Sequence, residues 1–101
     1  MNKYGAKSVT IQGHRFDSIK EKNRWLELRS WEQEKKITHL ILKPEFQLIV
    51  NKKLVCKYIP DFVYFEKGKK VVEDVKGMKT PVYRLKKKLF EALGYGTIKE
   101  T

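Results

Sequence analysis

The chain has 101 residues and a formal net charge of +11, from 23 Lys and Arg against 12 Asp and Glu, and its isoelectric point is near 9.8. That length argues for one domain with a modest core, and the charge points to a polyanionic partner, most often nucleic acid, although a basic ribosomal-type or membrane-surface protein would carry the same balance. The single cysteine, Cys56, excludes an internal disulfide and reads as a core residue in a reducing compartment; no apolar run approaches the roughly 20 residues of a membrane span, and the opening MNKYGAKS has no signal-peptide core, so a cytoplasmic location is expected.

Residues 1–8 read as a basic arm, expected to be mobile. Val9–Ile11, Gln12-Gly13 and His14–Phe16 read as a small hairpin, with His14 an exposed strand residue rather than a metal ligand. Asp17-Ser18 opens the first helix, with Ser18 as N-cap and Glu21 three residues on as its capping-box partner. The helix is expected to reach about Lys35. Glu21, Trp25 and Leu28 recur at the spacing of one inward face, and Ile19 and Leu26 form a second apolar face suited to a partner subunit. Residues 37–42 are a short apolar run ended by Pro44. Phe46–Val50 reads as a strand, 51–53 as a turn, and 54–58 as the lead into the next hairpin, with Pro60 at a bulge or on an edge.

The stretch from Tyr58 to Lys76, YIPDFVYFEKGKKVVEDVK, reads as two strands joined at Lys67-Gly68. A two-residue loop there sets Glu66 opposite Lys69 and carries the pairing on to Asp61 opposite Asp74. Side chains alternate along a strand, so Asp61, Val63, Phe65, Lys70, Val72, Asp74 and Lys76 share one face. Phe62, Tyr64, Val71, Glu73 and Val75 share the other. Two carboxylates and a lysine therefore meet at the end away from the turn. Facing like charges destabilise a sheet. A divalent cation would relieve that repulsion, and hard oxygen donors suit Mg²⁺ or Mn²⁺. The plain alternative is a surface hairpin with solvated charges, but both acids are embedded in apolar strand.

Beyond the hairpin, 77–79 read as a loop, and Thr80-Pro81 opens a second helix with Thr80 as N-cap. Val82, Leu85, Leu89 and Leu93 form its expected apolar stripe. Tyr83, Arg84, Lys86, Lys87 and Lys88 fill the rest, either as a nucleic-acid contact or as a solvated basic face; for Lys88 the solvated face is preferred. Gly94 and Gly96 bracket the helix end, and Thr97-Ile98 starts a last short strand.

Pro60-Asp61 followed by Asp74-Val75-Lys76 resembles the PD-(D/E)xK nuclease signature. The order helix, three strands, helix, strand resembles the αβββαβ core of that restriction-endonuclease-like superfamily, an α/β (α+β) fold with a mixed central sheet flanked by helices. More narrowly, KYGAK, FDS-x-x-E, YIPDFVY, VVEDVKG and T-P-x-Y-R-L-K resemble a family of small bacteriophage and prophage nucleases grouped with Holliday-junction-resolvase-like proteins. Asn23-Arg24-Trp25 departs from the smaller residues expected after the helix glutamate.

The resemblance implies that residues 1–101 form one nuclease domain in which Asp61 and Asp74 hold Mg²⁺ or Mn²⁺. Glu21 joins them directly or through water, although helix capping explains Glu21 about as well. Lys76 would position the attacking water or stabilise charge developing on phosphorus. Lys79, Thr80, Tyr83, Arg84, Lys86 and Lys87 would contact the nucleic acid, with a phosphate received at the helix N-terminus. The expected function is a metal-dependent, structure-selective DNA endonuclease acting on branched DNA, as a homodimer in the junction-resolving case, in a bacterial host's cytoplasm. The competing readings are a non-catalytic DNA-binding module with the same fold and a basic RNA-bound structural protein, both of which need only the charge. No zinc-type Cys/His set, glycine-rich nucleotide loop or Ser/His/Asp array is evident.

Overall fold

The computed structural model describes residues 9–11, 13–76 and 79–101. The basic arm expected at 1–8, and Gly77 and Met78 of the expected loop, lie outside the described residues. The elements run β1 (Val9–Ile11), β2 (His14–Phe16), α1 (Ile19–Gln33), β3 (Thr38–Leu42), β4 (Phe46–Val50), β5 (Lys53–Tyr58), β6 (Phe62–Glu66), β7 (Lys69–Asp74), α2 (Pro81–Ala92) and β8 (Ile98–Glu100). The fold is α+β, with a mixed four-stranded sheet in the order β3-β6-β7-β8 and two helices. β3, β6 and β7 pair antiparallel, and β8 joins β7 in parallel after the α2 crossover. β1 and β2 form the expected N-terminal hairpin.

The sequence order of helix, three sheet strands, helix, strand holds, with one addition. β4 and β5 form a separate two-stranded ribbon inserted between β3 and β6. Residues 54–58 therefore do not lead straight into the site hairpin. They fold back on Phe46–Val50, and the chain breaks at Ile59-Pro60-Asp61 before β6 begins. Pro60 has no N–H to give to a ladder, which is why one continuous strand from 58 to 65 does not form. Asn51 and Lys52 turn the ribbon with φ of 50° and 66°, the left-handed pair that matches the twist of a tight hairpin.

β6 and β7 pair as the two-residue loop requires: Glu66 with Lys69, Tyr64 with Val71, Phe62 with Glu73. Lys67 and Gly68 take φ of 52° and 77°, which glycine tolerates without strain. The two faces then diverge. Phe62 and Tyr64 pack with Trp25 and Leu28 of α1, and with Phe16 and Ile37. Val63 and Val72 pack with Tyr83 and Phe90 of α2, and with Leu48, Tyr58 and Ile98. Cys56 is a free, partly buried thiol against this second core.

Both helices start where their caps predict. Ser18 Oγ accepts from the Glu21 amide at 3.1 Å, and Thr80 Oγ1 accepts from the Tyr83 amide at 3.1 Å with Pro81 at the first position. α1 buries Glu21, Trp25 and Leu28, the expected face. Of the expected α2 stripe only Leu89 packs against the core, and it is partly buried. Val82 and Leu85 are 63% and 68% exposed and Leu93 is also exposed, while Tyr83 and Phe90 point inward. The reason is aromatic area. Two rings of about 150–250 Å² each outweigh the aliphatic stripe, and Tyr58 offers them a matching surface, 6.4 Å from Tyr83 and 5.3 Å from Phe90 between ring centres. The end of α2 is locked in the same way. Gly94 (φ 86°) donates to the Glu91 carbonyl and Tyr95 to that of Phe90, the paired bonds of a left-handed helix stop. The Tyr95 ring then stacks on Phe90 at 5.2 Å.

Candidate metal centre

The site lies where β7 ends and the 59–61 break begins. Asp61 sits in that break. Its Oδ2 accepts the Val75 amide at 2.7 Å, and its carbonyl accepts the Lys43 amide at 2.9 Å. Both bonds fix it just beyond the last ladder pair, Phe62 with Glu73, where its carboxyl meets that of Asp74. Asp74 is 2% exposed. Its Oδ2 accepts a short hydrogen bond from Tyr58 Oη, and its Oδ1 lies 3.3 Å from Lys76 Nζ. Lys76 Nζ also stands over the Tyr83 ring, 4.1 Å from its centre. The two acids oppose each other: burial and then the close Asp74 carboxyl push the Asp61 pKa well above the ordinary carboxylate range. Tyr58 is held as a neutral phenol by burial and by the Asp74 carboxylate it donates to.

Glu21 enters from α1. It is 5% exposed, and its Oε1 is buried without a hydrogen bond. Lys43 Nζ stands 3.6 Å from that oxygen but donates to the Arg15 carbonyl at 3.0 Å. Burial raises the Glu21 pKa, with Lys43 pulling the other way. Its charge in turn helps to raise the pKa of Asp61, so Asp61 feels both other acids. Capping alone does not account for this oxygen, which is ion-paired to Lys43 but accepts no hydrogen bond. Among the described residues, however, no three His, Cys, Asp or Glu side chains converge into a ready-made metal cage. Asp61 and Asp74 form the close pair, and Glu21 stands off. That set fits Mg²⁺, which takes one or two carboxylates and fills its remaining positions with water and phosphate oxygens.

Glu73, rejected by strand parity, is on the opposite face. It accepts Arg24 Nε at 2.6 Å, Arg24 Nη2 at 2.9 Å, Tyr64 Oη at 2.6 Å and Thr101 Oγ1 at 3.1 Å. Burial acts to raise its pKa, but these four bonds outweigh it and hold the carboxyl below its usual value. The Asn23-Arg24-Trp25 departure is explained here. Arg24 neutralises Glu73, and Trp25 fills the core against Phe62 at 6.1 Å.

The residues expected to touch nucleic acid separate. Arg84 is exposed and Lys86 is partly exposed. Lys79 and Lys87 both reach Glu100 Oε1, at 3.1 and 3.3 Å. Thr80 is occupied in capping. Tyr83 is not on the basic surface at all: its ring is buried and its hydroxyl donates to Glu100 Oε2 at 2.7 Å. The bonds from Tyr83, Lys79 and Lys87 hold the Glu100 pKa down at about 2. Sequence reasoning missed Tyr58, Lys43 and Glu100. A tyrosine three residues before the Pro60-Asp61 junction's acid was the one available signal, and nothing in the sequence marked the other two.

No helix among the described residues is long and apolar enough to cross a membrane. No curated protein and no solved structure is detectably similar to the chain. A family model matches residues 1–101 throughout, and the chain belongs to that family, DUF1064, described as a protein of unknown function.

Proposed function

We propose that the protein is a metal-dependent, structure-selective DNA endonuclease of the PD-(D/E)xK kind. One observation carries the reading: a partly buried carboxyl, Asp61, is set against the buried Asp74, which is ion-paired to Lys76, and the charge of Glu21 reaches Asp61 from α1. A structural domain has no use for this arrangement, since facing like charges cost stability. Asp61 and Asp74 would hold Mg²⁺ or Mn²⁺, with Glu21 acting through water. Such an ion would supply polarisation of a phosphate and a lowered pKa for a bound water molecule. Lys76, ion-paired to Asp74 and cushioned on Tyr83, supplies the positive charge that orients the attacking water or meets charge on phosphorus. The net charge of +11 draws DNA in without reading its sequence.

The test is incubation with linear, flapped and four-way DNA, in Mg²⁺ and in EDTA, with Asp61→Asn alongside. Cutting by the native protein in Mg²⁺ alone is the expected result, with the variant still binding. Full cutting in EDTA overturns the metal mechanism, and binding without cutting under any metal favours the non-catalytic reading. A two-copy working unit goes with junction resolution, because two strands need two sites. Ile19 and Leu26 of α1 are 47% and 45% exposed and support it. A monomer mass by light scattering, with and without a four-way junction, overturns the dimer.

A further inference from the structure

Beside the acid pair, between the end of β5 and the first turn of α2, lies an open hollow of about 280 Å³. Its walls combine two chemistries. Lys57, Lys76 and Lys86 supply positive charge, while Ile59 and Val82 supply aliphatic surface, 53% and 63% exposed. Tyr58 and Tyr83 line it as well, and they connect it to the site. Tyr58 Oη donates to Asp74, and the Tyr83 ring lies under the Lys76 ammonium.

The nuclease reading gives Lys76 a part at the metal and expects Thr80, Tyr83 and Lys86 only to contact nucleic acid, and it leaves Lys57, Ile59 and Val82 without a part. A phosphate by itself would need only the lysines. Aliphatic side chains set among three cations suit a ligand with a flat apolar body and an anionic edge. A nucleotide has that shape and charge, and a chain of net charge +11 is complementary to its phosphates. At about 280 Å³ the hollow is near the lower end of small-molecule pockets, about 300–1,000 Å³. That is the scale of one nucleotide rather than of a paired, stacked duplex.

We propose that this hollow is a subsite for one unpaired nucleotide next to the phosphate that a metal ion at Asp61 and Asp74 would bind. The base lies against Ile59 and Val82, and its flanking phosphate lies on Lys57 and Lys86. A base inside a duplex must be unpaired and unstacked to enter, whereas a base at a fork, flap or single-stranded tail is already free. The subsite therefore makes unpaired nucleotides at a branch the substrate class. Its position relative to a cut rests on the nuclease reading, but its affinity for a single strand does not.

The test is fluorescence anisotropy in EDTA, where nothing is cut, with a labelled ten-nucleotide single strand and the same sequence as a blunt duplex. The native protein is expected to prefer the single strand. Ile59→Ser and Val82→Ser are each expected to weaken single-strand binding several-fold, with duplex binding and salt dependence unchanged. Both side chains are half exposed or more, so the variants fold, and circular dichroism checks this. Lys57→Ala is expected to reduce the salt slope by about one phosphate's worth. Equal affinity for single strand and duplex overturns the subsite, as does an unchanged single-strand preference in both serine variants. Failure of the nuclease reading is read separately. A protein that never cuts but loses its single-strand preference in Val82→Ser keeps the subsite and loses the enzyme. A protein that cuts while Val82→Ser and Ile59→Ser bind as the native protein does keeps the enzyme and loses the subsite.

Discussion

Glu73 and Asp74 are neighbours on β7, both essentially buried, yet they live in opposite electrostatic worlds. Glu73 faces α1 and accepts four hydrogen bonds, two from one guanidinium. Asp74 faces α2 and looks across at a second acid. The pleat alone separates them, because successive side chains leave a strand on opposite sides. Burial of a carboxylate is therefore not the mark of a site. A buried acid with its charge fully answered is a structural part, whereas Asp74, though bonded to Tyr58 and Lys76, is also set against a second acid, which is the feature the proposed metal reading rests on.

The largest expected effect breaks the structural side. Arg24→Ala strands a buried Glu73 charge and should cost about 3–5 kcal/mol of stability, read by urea unfolding, while the folded fraction cuts normally. A loss below about 1 kcal/mol would show that Glu73 does not depend on Arg24.

On the other face, Asp74→Ala and Lys76→Ala should lower the cutting rate by at least about 10²–10³-fold with little loss of stability. Glu73→Gln should leave the rate per folded molecule unchanged. An active Asp74→Ala with a dead Glu73→Gln would invert the comparison. Next in size is Tyr58→Phe. It frees Asp74 from its buried hydroxyl partner and should weaken Mg²⁺ binding about 10–100-fold, measured by titration calorimetry. Unchanged metal affinity would make Tyr58 a packing residue.

Stability against pH sharpens the contrast further. The Asp61 pKa is raised in the fold, so the native state holds its proton more tightly than the unfolded chain does. Metal-free stability should then fall as pH rises from the ordinary value of 3.8 to the raised native value. Asp61→Asn should flatten that fall, and so should saturating Mg²⁺. Identical profiles for the native protein and Asp61→Asn would remove the opposed pair. The smallest effect belongs to Glu100→Gln. It releases Lys79 and Lys87, and should steepen the salt dependence of DNA binding by about one to two phosphates. An unchanged slope would mean those lysines never reach the backbone.

The site hairpin was legible because each step is local. Gly68 fixes a two-residue turn, the turn fixes the register, and the register puts Asp61 with Asp74 and sends Glu73 away. The α2 face was not legible. Its leucine and valine spacing fits a buried stripe as well as its two aromatics do, and only the Tyr58 ring waiting across the gap selects Tyr83 and Phe90.

By itself the sequence determined what neighbours in the chain enforce: the caps at Ser18 and Thr80, the Lys67-Gly68 turn, the strand parity, and the inward face of α1. Tertiary structure decided what depends on residues far apart. It set the β4–β5 ribbon aside from the sheet, gave Arg24 to Glu73 across 49 positions, and brought Tyr58 to Asp74 across 16. The physical reason is range. A turn or a cap is settled by steric and hydrogen-bonding preferences within a few residues, whereas the partner of a buried charge is chosen by whichever donor the packed core happens to deliver to it.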